Sequence, residues 1–266
     1  MARSTMSVRH VRVATSLLAL GLAMLILAPS RTTAQPSDPQ PAAPAAKPET
    51  GKTHSGKPDS VKADPAEPQP TEALASRGRQ YRALKGQPRG VLITSKGALE
   101  TITAAGRDVR AFAIEGPTEA RSMLAGAHLR LATRNLVPSD ATLAAEISSE
   151  AWLNSAESPW IDLVIREVRD VRTVEVPAGK GSQVTLIGEL TIRGVTRPVE
   201  IPRATLIMIP AGDATRSVAD GDLLRLLASF EIQLADFGIT NDEIAVRKRI
   251  AGAVAIALDL VMATGK

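Results

Sequence analysis

The stretch Val184-Thr185-Leu186-Ile187-Gly188-Glu189-Leu190-Thr191-Ile192 carries the clearest structural pattern of the chain. Val184, Leu186, Leu190 and Ile192 fall on one face, and Thr185, Glu189 and Thr191 fall on the other, which predicts a half-buried β-strand. Residues 193–197 then predict a glycine-containing turn, and a second strand is expected to begin at Pro198. Pro202 predicts an edge or a bulge in that second strand.

Similar alternation recurs on both sides of this stretch. Ile161, Leu163 and Ile165 alternate with more polar neighbours, and so do Phe230, Ile232 and Leu234. Residues 92–103 and 109–115 give weaker strand patterns. The run 250–262 suits either a buried helix or a strand, and its alternation of large residues with alanine favours a strand. A short helical turn is expected at 150–153, capped by Ser148 or Ser149. Many antiparallel strands with one short helix predict a barrel or a sandwich.

The net charge of +4 lies entirely in the first 34 residues. Three arginines (Arg3, Arg9 and Arg12) precede an apolar run of 12 residues from Leu17 to Ala28, which is too short to span a bilayer. This pattern predicts a signal peptide cleaved after Ala34 and a periplasmic or secreted protein, with an uncleaved N-terminal anchor as the alternative. Because the rest of the chain is neutral and lacks a recognition motif, binding to nucleic acid is not expected.

The segment 35–80 contains nine of the 18 prolines and almost no large apolar residues. Such a segment cannot bury enough surface to offset its ordering entropy, so it predicts a disordered, Pro-rich linker. Residues 81–264 then form one folded domain, which is large enough to bury a substantial core.

Residues that carry chemistry are scarce in this domain. The chain has no cysteine, and His128 is the only histidine after residue 80. No catalytic or metal-binding motif is found, so neither an enzyme, a metal site nor a cofactor is expected. His128 is interpreted as a solvent-facing strand residue, and Asp162, Glu189 and Glu231 as solvated carboxylates. An enzyme with an undetected polar site that uses His128 remains an alternative.

Three segments resemble the YceI-like family in order and spacing. Residues 188–199, Gly-Glu-Leu-Thr-Ile-Arg-Gly-Val-Thr-Arg-Pro-Val, are similar to its signature G-x-L-T-[IL]-x-G-V-T-[KR]-P-V. Trp152-Leu153-Asn154, followed by Pro159, resembles its aromatic-Leu-Asp/Asn…Pro segment. Residues 230–239 precede the closing apolar strand as they do in the family. The resemblance covers about 120–264 well and 81–119 poorly, where the family's opening strand and histidine-containing loop are missing.

The resemblance implies a single lipocalin-like antiparallel β-barrel of about eight strands with a long apolar channel. It also implies an exported protein that holds a polyisoprenoid or other lipid. Apolar strand residues on the inner faces are the candidate ligand contacts, while Trp152 and Trp160 are expected to plug a barrel end. These candidate contacts are Phe112, Ile114, Ile161, Leu163, Leu186, Leu190, Ile192, Phe230, Ile232, Leu234, Val254, Ile256 and Leu258.

Two hypotheses for function follow. The first is a non-enzymatic, exported protein that binds a long-chain apolar ligand in its channel; a homodimer and a transient membrane contact through the N-terminal segment are compatible with it. The alternative is a structural or interaction module, because many small residues and few aromatics could pack a narrow barrel solid.

Overall fold

The computed structural model describes residues 67–265, except residues 88–89, 117–123, 178, 214 and 241–249. The predicted signal peptide and most of the predicted linker lie outside the described residues. Two short α-helices are found, α1 (Glu72–Ala75) and α2 (Ala144–Ser148). The strands are β1 (Gln80–Ala83), β2 (Val91–Lys96), β3 (Thr101–Gly106), β4 (Arg110–Glu115), β5 (Leu124–Ala132), β6 (Leu136–Pro138), β7 (Trp160–Val176), β8 (Gly179–Ile192), β9 (Val195–Ile209), β10 (Leu223–Gln233) and β11 (Ala253–Ala263).

These strands form one antiparallel sheet that closes on itself. The order β1-β4-β5-β7-β8-β9-β10-β11 is completed by pairing of β1 with β11, which makes a ring of eight strands. Residues 254–258 of β11 pair with β2, and β3 and β6 continue the sheet from there. Closure removes exposed strand edges, which would otherwise invite pairing with other chains. The predicted antiparallel barrel of about eight strands is confirmed.

The extra strands arise because the first strand of the barrel is interrupted. Ala83 pairs with Met262 and Val91 pairs with Leu258, so β1 and β2 follow the same edge of β11 with residues 84–90 between them. The side chain of Gln87 replaces the missing strand pairing. Its amide nitrogen donates to the carbonyl oxygen of Val261 at 2.8 Å, and its amide oxygen accepts from the Val261 backbone nitrogen at 2.8 Å.

The stretch that decides the fold forms the hairpin β8–β9. Ile192 pairs with Val195, so the turn consists of Arg193 and Gly194 alone and is shorter than the predicted 193–197. Both have positive φ, 54° and 74°, as a type I′ turn requires. The pairing shifts farther along β9, where Arg203 also has positive φ (56°), in agreement with the bulge predicted beside Pro202.

Other local predictions need correction. Residues 92–103 do not form one strand, because β2 ends at Lys96 and β3 begins at Thr101. The helix α2 ends at Ser148, and Ser149 adopts an extended conformation that stops it. The predicted residues 150–153 form a hydrogen-bonded turn instead of a helix, in which the backbone nitrogen of Trp152 donates to the Ser149 carbonyl at 3.1 Å. The run 250–262 contains a strand, β11, as its alternation favoured.

The end of the predicted linker is structured. Thr71 caps α1, and its side-chain oxygen accepts from the backbone nitrogen of Leu74 at 3.4 Å. A Cβ added to Gly126 would lie 3.2 Å from the side chain of Leu74, so α1 packs on the outside of β5. For residues 67–80 the structure therefore differs from the expected disorder. In the described part of the chain, no helix is both long and apolar enough to cross a membrane.

Candidate functional site: an apolar cavity in one half of the barrel

The barrel encloses a cavity with an almost entirely apolar wall. Its volume is about 130 Å³, or about 1060 Å³ when the space open to solvent is included. Inward residues of β2, β3, β5, β7, β8, β10 and β11 form the wall. Apolar walls of this kind give a large gain from burying hydrocarbon and offer few hydrogen bonds to a polar ligand.

Two of the polar side chains in the wall have hydrogen-bond partners within the protein. Among the described lining residues, only Ser95, Arg130 and Trp152 carry a side-chain nitrogen or oxygen. The hydroxyl of Ser95 accepts a hydrogen bond from the backbone nitrogen of Ala251 at 2.8 Å. The guanidinium of Arg130 donates to Asp162 at 2.7 Å. The cavity is thus suited to a hydrocarbon group and not to a charged or strongly polar one.

One end of the cavity is covered by the segment that contains α2. Ile147 of α2, Trp152 and Leu153 all line the cavity, and the backbone nitrogen of Leu153 donates to the Ile147 carbonyl at 3.1 Å. Trp152 therefore lies at a barrel end, as expected, and also borders the cavity. Trp160 neither lies at a barrel end nor borders the cavity. Instead, Arg110 and Arg130 lie over its ring at 5.4 and 5.5 Å.

The other half of the barrel is packed solid. On β7, Leu163 lines the cavity, whereas the next inward residue, Ile165, does not and is 2% exposed. On β11 the same change occurs between Leu258 and Leu260, which is fully buried. The residues that close the cavity at this level and fill the barrel beyond it are Tyr81, Ala127, Ile165, Val184, Leu186, Ile201, Leu206, Leu224, Leu226, Leu260 and Met262.

The structure brings ten of the candidate contacts together around this cavity. These ten are Ile161, Leu163, Leu190, Ile192, Phe230, Ile232, Leu234, Val254, Ile256 and Leu258. Leu186 instead belongs to the solid half, where it is fully buried. It follows the same alternation as Leu190, and periodicity does not show how far along a strand the empty space extends.

Phe112 and Ile114 lie on the outer face of β4 and not in the channel. Phe112 pairs with His128, and their rings meet edge-on with centroids 6.0 Å apart. The inward residues of β4 are Ala111 and Ala113, which join the core. The sequence Ala-Phe-Ala-Ile is apolar at every position, so residue size suggested the wrong face.

Several lining residues were missed in the sequence. They are Val91, Ile93, Ser95, Ile102, Ala104, Val109, Leu129, Leu131, Leu136, Ile147, Leu153, Ile239 and Ile250. Many lie in the part where the family resemblance is weak. The alternation of Leu129 and Leu131 with His128 and Arg130 was a usable signal for β5.

A polar cluster lies outside the barrel across β5 and β7. The ring nitrogen Nε2 of His128 donates to Oδ1 of Asp162 at 2.6 Å, and Arg130 donates to the same oxygen at 2.7 Å. Burial alone would raise the pKa of Asp162, but these two hydrogen bonds hold it below its ordinary value. His128 and Asp162 are thus hydrogen-bonded to each other and partly buried. This differs from the sequence interpretation, in which both side chains were solvated. Among the described residues, no group of three or more His, Asp or Glu side chains could hold a metal ion.

The fold and its cavity define a closed antiparallel barrel with a hollow apolar half. The family model described as the YceI-like domain matches residues 94–262. The chain therefore belongs to the YceI-like family, and the match begins well before residue 120, where the resemblance became clear in the sequence. Comparison with the curated proteins gives no match.

Solved structures that are similar to this chain include the following three. BcnA of Burkholderia cenocepacia shares 16% identity and has a TM-score of 0.49, over 64% of this chain and 94% of its own. The YCEI protein of Campylobacter jejuni shares 11% identity with a TM-score of 0.48, over 59% and 82%. A polyisoprenoid binding domain from Saccharophagus degradans, described as implicated in plant cell wall breakdown, shares 8% identity with a TM-score of 0.46, over 70% and 99%.

Proposed function

We propose that the protein is a non-enzymatic binding protein that holds the hydrocarbon chain of a lipid, of the polyisoprenoid class that the family resemblance implies. The observation that carries this proposal is the hollow half of the barrel. Protein interiors are normally close-packed, so an empty space of this size is unusual. Water in this cavity would find few hydrogen-bond partners, whereas a hydrocarbon group needs none.

The wall chemistry supports binding over catalysis. Leu163, Ile192 and Leu258 present only aliphatic carbon to the cavity, and the polar cluster at His128 lies on the opposite face of its strand. Among the described lining residues only Ser95, Arg130 and Trp152 carry polar side-chain atoms, and none of them is a histidine or carboxylate that could take a proton from a nucleophile. If His128 nevertheless served an enzyme, His128→Ala would abolish the activity found; unchanged activity would eliminate that role.

The proposal also includes export of the protein from the cytoplasm. The predicted signal peptide and the Pro-rich linker would place the barrel in the periplasm or outside the cell, where a carrier for poorly soluble chains has a use. N-terminal sequencing of the exported protein tests this point: a chain that begins at Gln35 supports cleavage after Ala34. A chain that still begins at its first residues points to an N-terminal anchor.

Native mass spectrometry of the exported, untagged protein tests the binding function. A bound mass of several hundred daltons that moves into organic solvent on extraction supports it. A protein that carries no such mass and takes up no added prenol contradicts it. That outcome would favour the alternative of a structural or interaction module, for which the solid half of the barrel is the supporting observation.

A further inference from the structure

The barrel is hollow over only part of its length, which limits how much of a ligand it can enclose. The floor is set on several strands: Leu163 and Leu258 line the cavity, whereas Ile165 and Leu260 do not. On β10 the same change occurs between Phe230 and Ala228.

The side chains beyond this floor leave no room for a chain to continue. Leu186, Leu206, Leu224 and Leu260 are fully buried, and Leu226 is 1% exposed. They come from four consecutive strands, β8 to β11, and belong to one packed cluster that also contains Tyr81, Ala127 and Ile165 from the other side of the ring. A chain that enters the cavity therefore stops at this level unless the packed half rearranges, and packed cores resist such changes.

The size of the hollow half gives a length. The volume of about 130 Å³ is close to the roughly 150 Å³ of an engineered apolar cavity that holds one benzene molecule, so the cavity accommodates at least about six carbons. The whole empty space of about 1060 Å³, with its open mouth, would hold at most about 35 groups of about 30 Å³. A methylene group is about as large as a water molecule, so a chain of 40 or more carbons cannot be enclosed.

The wall also determines where a polar head must lie. The hydroxyl of Ser95 and the guanidinium of Arg130 are both engaged, in hydrogen bonds with Ala251 and Asp162. Apart from Ser95, Arg130 and Trp152, the described lining residues would offer a hydroxyl or phosphate only carbon, so the loss of its hydration inside the cavity would be costly. The head therefore lies at the mouth or in solvent, and only the hydrocarbon end enters.

We infer that the barrel selects for a short apolar chain of about ten to twenty carbons, which is two to four isoprene units, and leaves the head and any further units outside. This inference rests on the proposed function. It differs from the long channel that the family resemblance implies, because the solid half occupies the space that a longer chain would need.

A chain-length series tests the inference. Prenols of 5, 10, 15, 20 and 45 carbons compete with a bound apolar fluorescent dye on the full-length protein. Each buried methylene increases affinity about fourfold, so affinity is expected to rise more than tenfold from 5 to 10 carbons. From 20 to 45 carbons it is expected to change less than threefold. The 10-carbon alcohol and its monophosphate are expected to bind within a few-fold of each other.

The outcomes separate the inference from the function on which it rests. If the 45-carbon prenol binds more than tenfold tighter than the 20-carbon prenol, the length limit is wrong while the binding function stands. If no prenol displaces the dye, the binding function itself is wrong. The variant Leu260→Ala should move the plateau toward longer chains; if it does not fold, the series on the unchanged protein decides alone.

Discussion

Leu163 and Ile165 are consecutive inward-facing residues of β7, yet Leu163 borders the cavity and Ile165 is packed in the solid half of the barrel. The boundary between empty and filled interior passes between these two side chains. On β11, which lies four strands away in the ring, the boundary passes between Leu258 and Leu260. The position of this boundary determines what the barrel can bind and which substitutions it tolerates.

Filling the cavity should block binding without loss of the fold. Ala104 of β3 lines the cavity, so Ala104→Phe places a ring in empty space and is expected to weaken prenol binding at least tenfold. Ala105 is the next residue and faces the other side of β3, where Ala105→Phe provides a matched control. Dye displacement measures both. Equal loss of binding in the two variants would show that the cavity is not the site.

Truncation should cost more stability in the solid half than beside the cavity. Leu260→Ala removes a fully buried side chain from a packed region and is expected to lower the free energy of unfolding by about 3–5 kcal/mol. Leu258→Ala enlarges a space that already exists, and about 2 kcal/mol is expected. Denaturant unfolding compares the two. An equal or larger loss for Leu258→Ala would contradict the division of the barrel into two halves.

The hydrogen bonds to Asp162 should make part of the stability depend on acid pH. Because the pKa of Asp162 is lowered in the folded state, its contribution is fully present above its unfolded value near 3.8 and is lost as pH falls through the lower folded value. Asp162→Asn is expected to reduce stability at pH 7 by about 1–2 kcal/mol. Its loss of stability below about pH 4 should be shallower than that of the unchanged protein.

Unfolding curves at several pH values between 2 and 7 measure this effect, and Glu231→Gln serves as the control because Glu231 is an exposed strand carboxylate. A variant Asp162→Asn that keeps the full acid dependence would assign that dependence to other carboxylates.

Gly188 should not tolerate any side chain. A Cβ at this position would lie 2.1 Å from the carbonyl oxygen of Val164 on the neighbouring strand, where the pairing of β7 and β8 shifts register. Gly188→Ala is therefore expected to cost more than about 2 kcal/mol. At Gly212 an added Cβ would meet nothing within 4 Å, so Gly212→Ala is the control and should change the midpoint of unfolding little. Equal midpoints in both variants would show that β7 and β8 separate easily at this point.

The strands that alternate clearly were predictable from the sequence. Leu190 and Ile192 on β8 lie inward as their pattern indicates, because one face of the strand is buried and the other is not. The same holds on β11 for Val254, Ile256, Leu258, Leu260 and Met262. The bulge at Pro202 was also readable, since proline cannot complete a strand ladder.

The rest could not be read from local patterns. The interruption between β1 and β2 depends on a long-range contact of Gln87 with Val261. Phe112 and Ile114 are buried although they face outward, and α1 covers part of that outer face near Gly126, the pairing partner of Ile114. The extent of the cavity depends on side-chain volumes summed over strands that are distant in sequence, and Leu186 looks the same as Leu190 in its own strand.

A crystal structure of the full-length protein with 1-bromododecane tests the central claim most directly, because the bromine atom is located by its anomalous scattering. We predict that the hydrocarbon lies in the hollow half, against Leu163, Ile192 and Leu258, with its end at the level of Ile165 and Leu260. A cavity closed by its own side chains, or a chain bound only outside the barrel, would contradict the account.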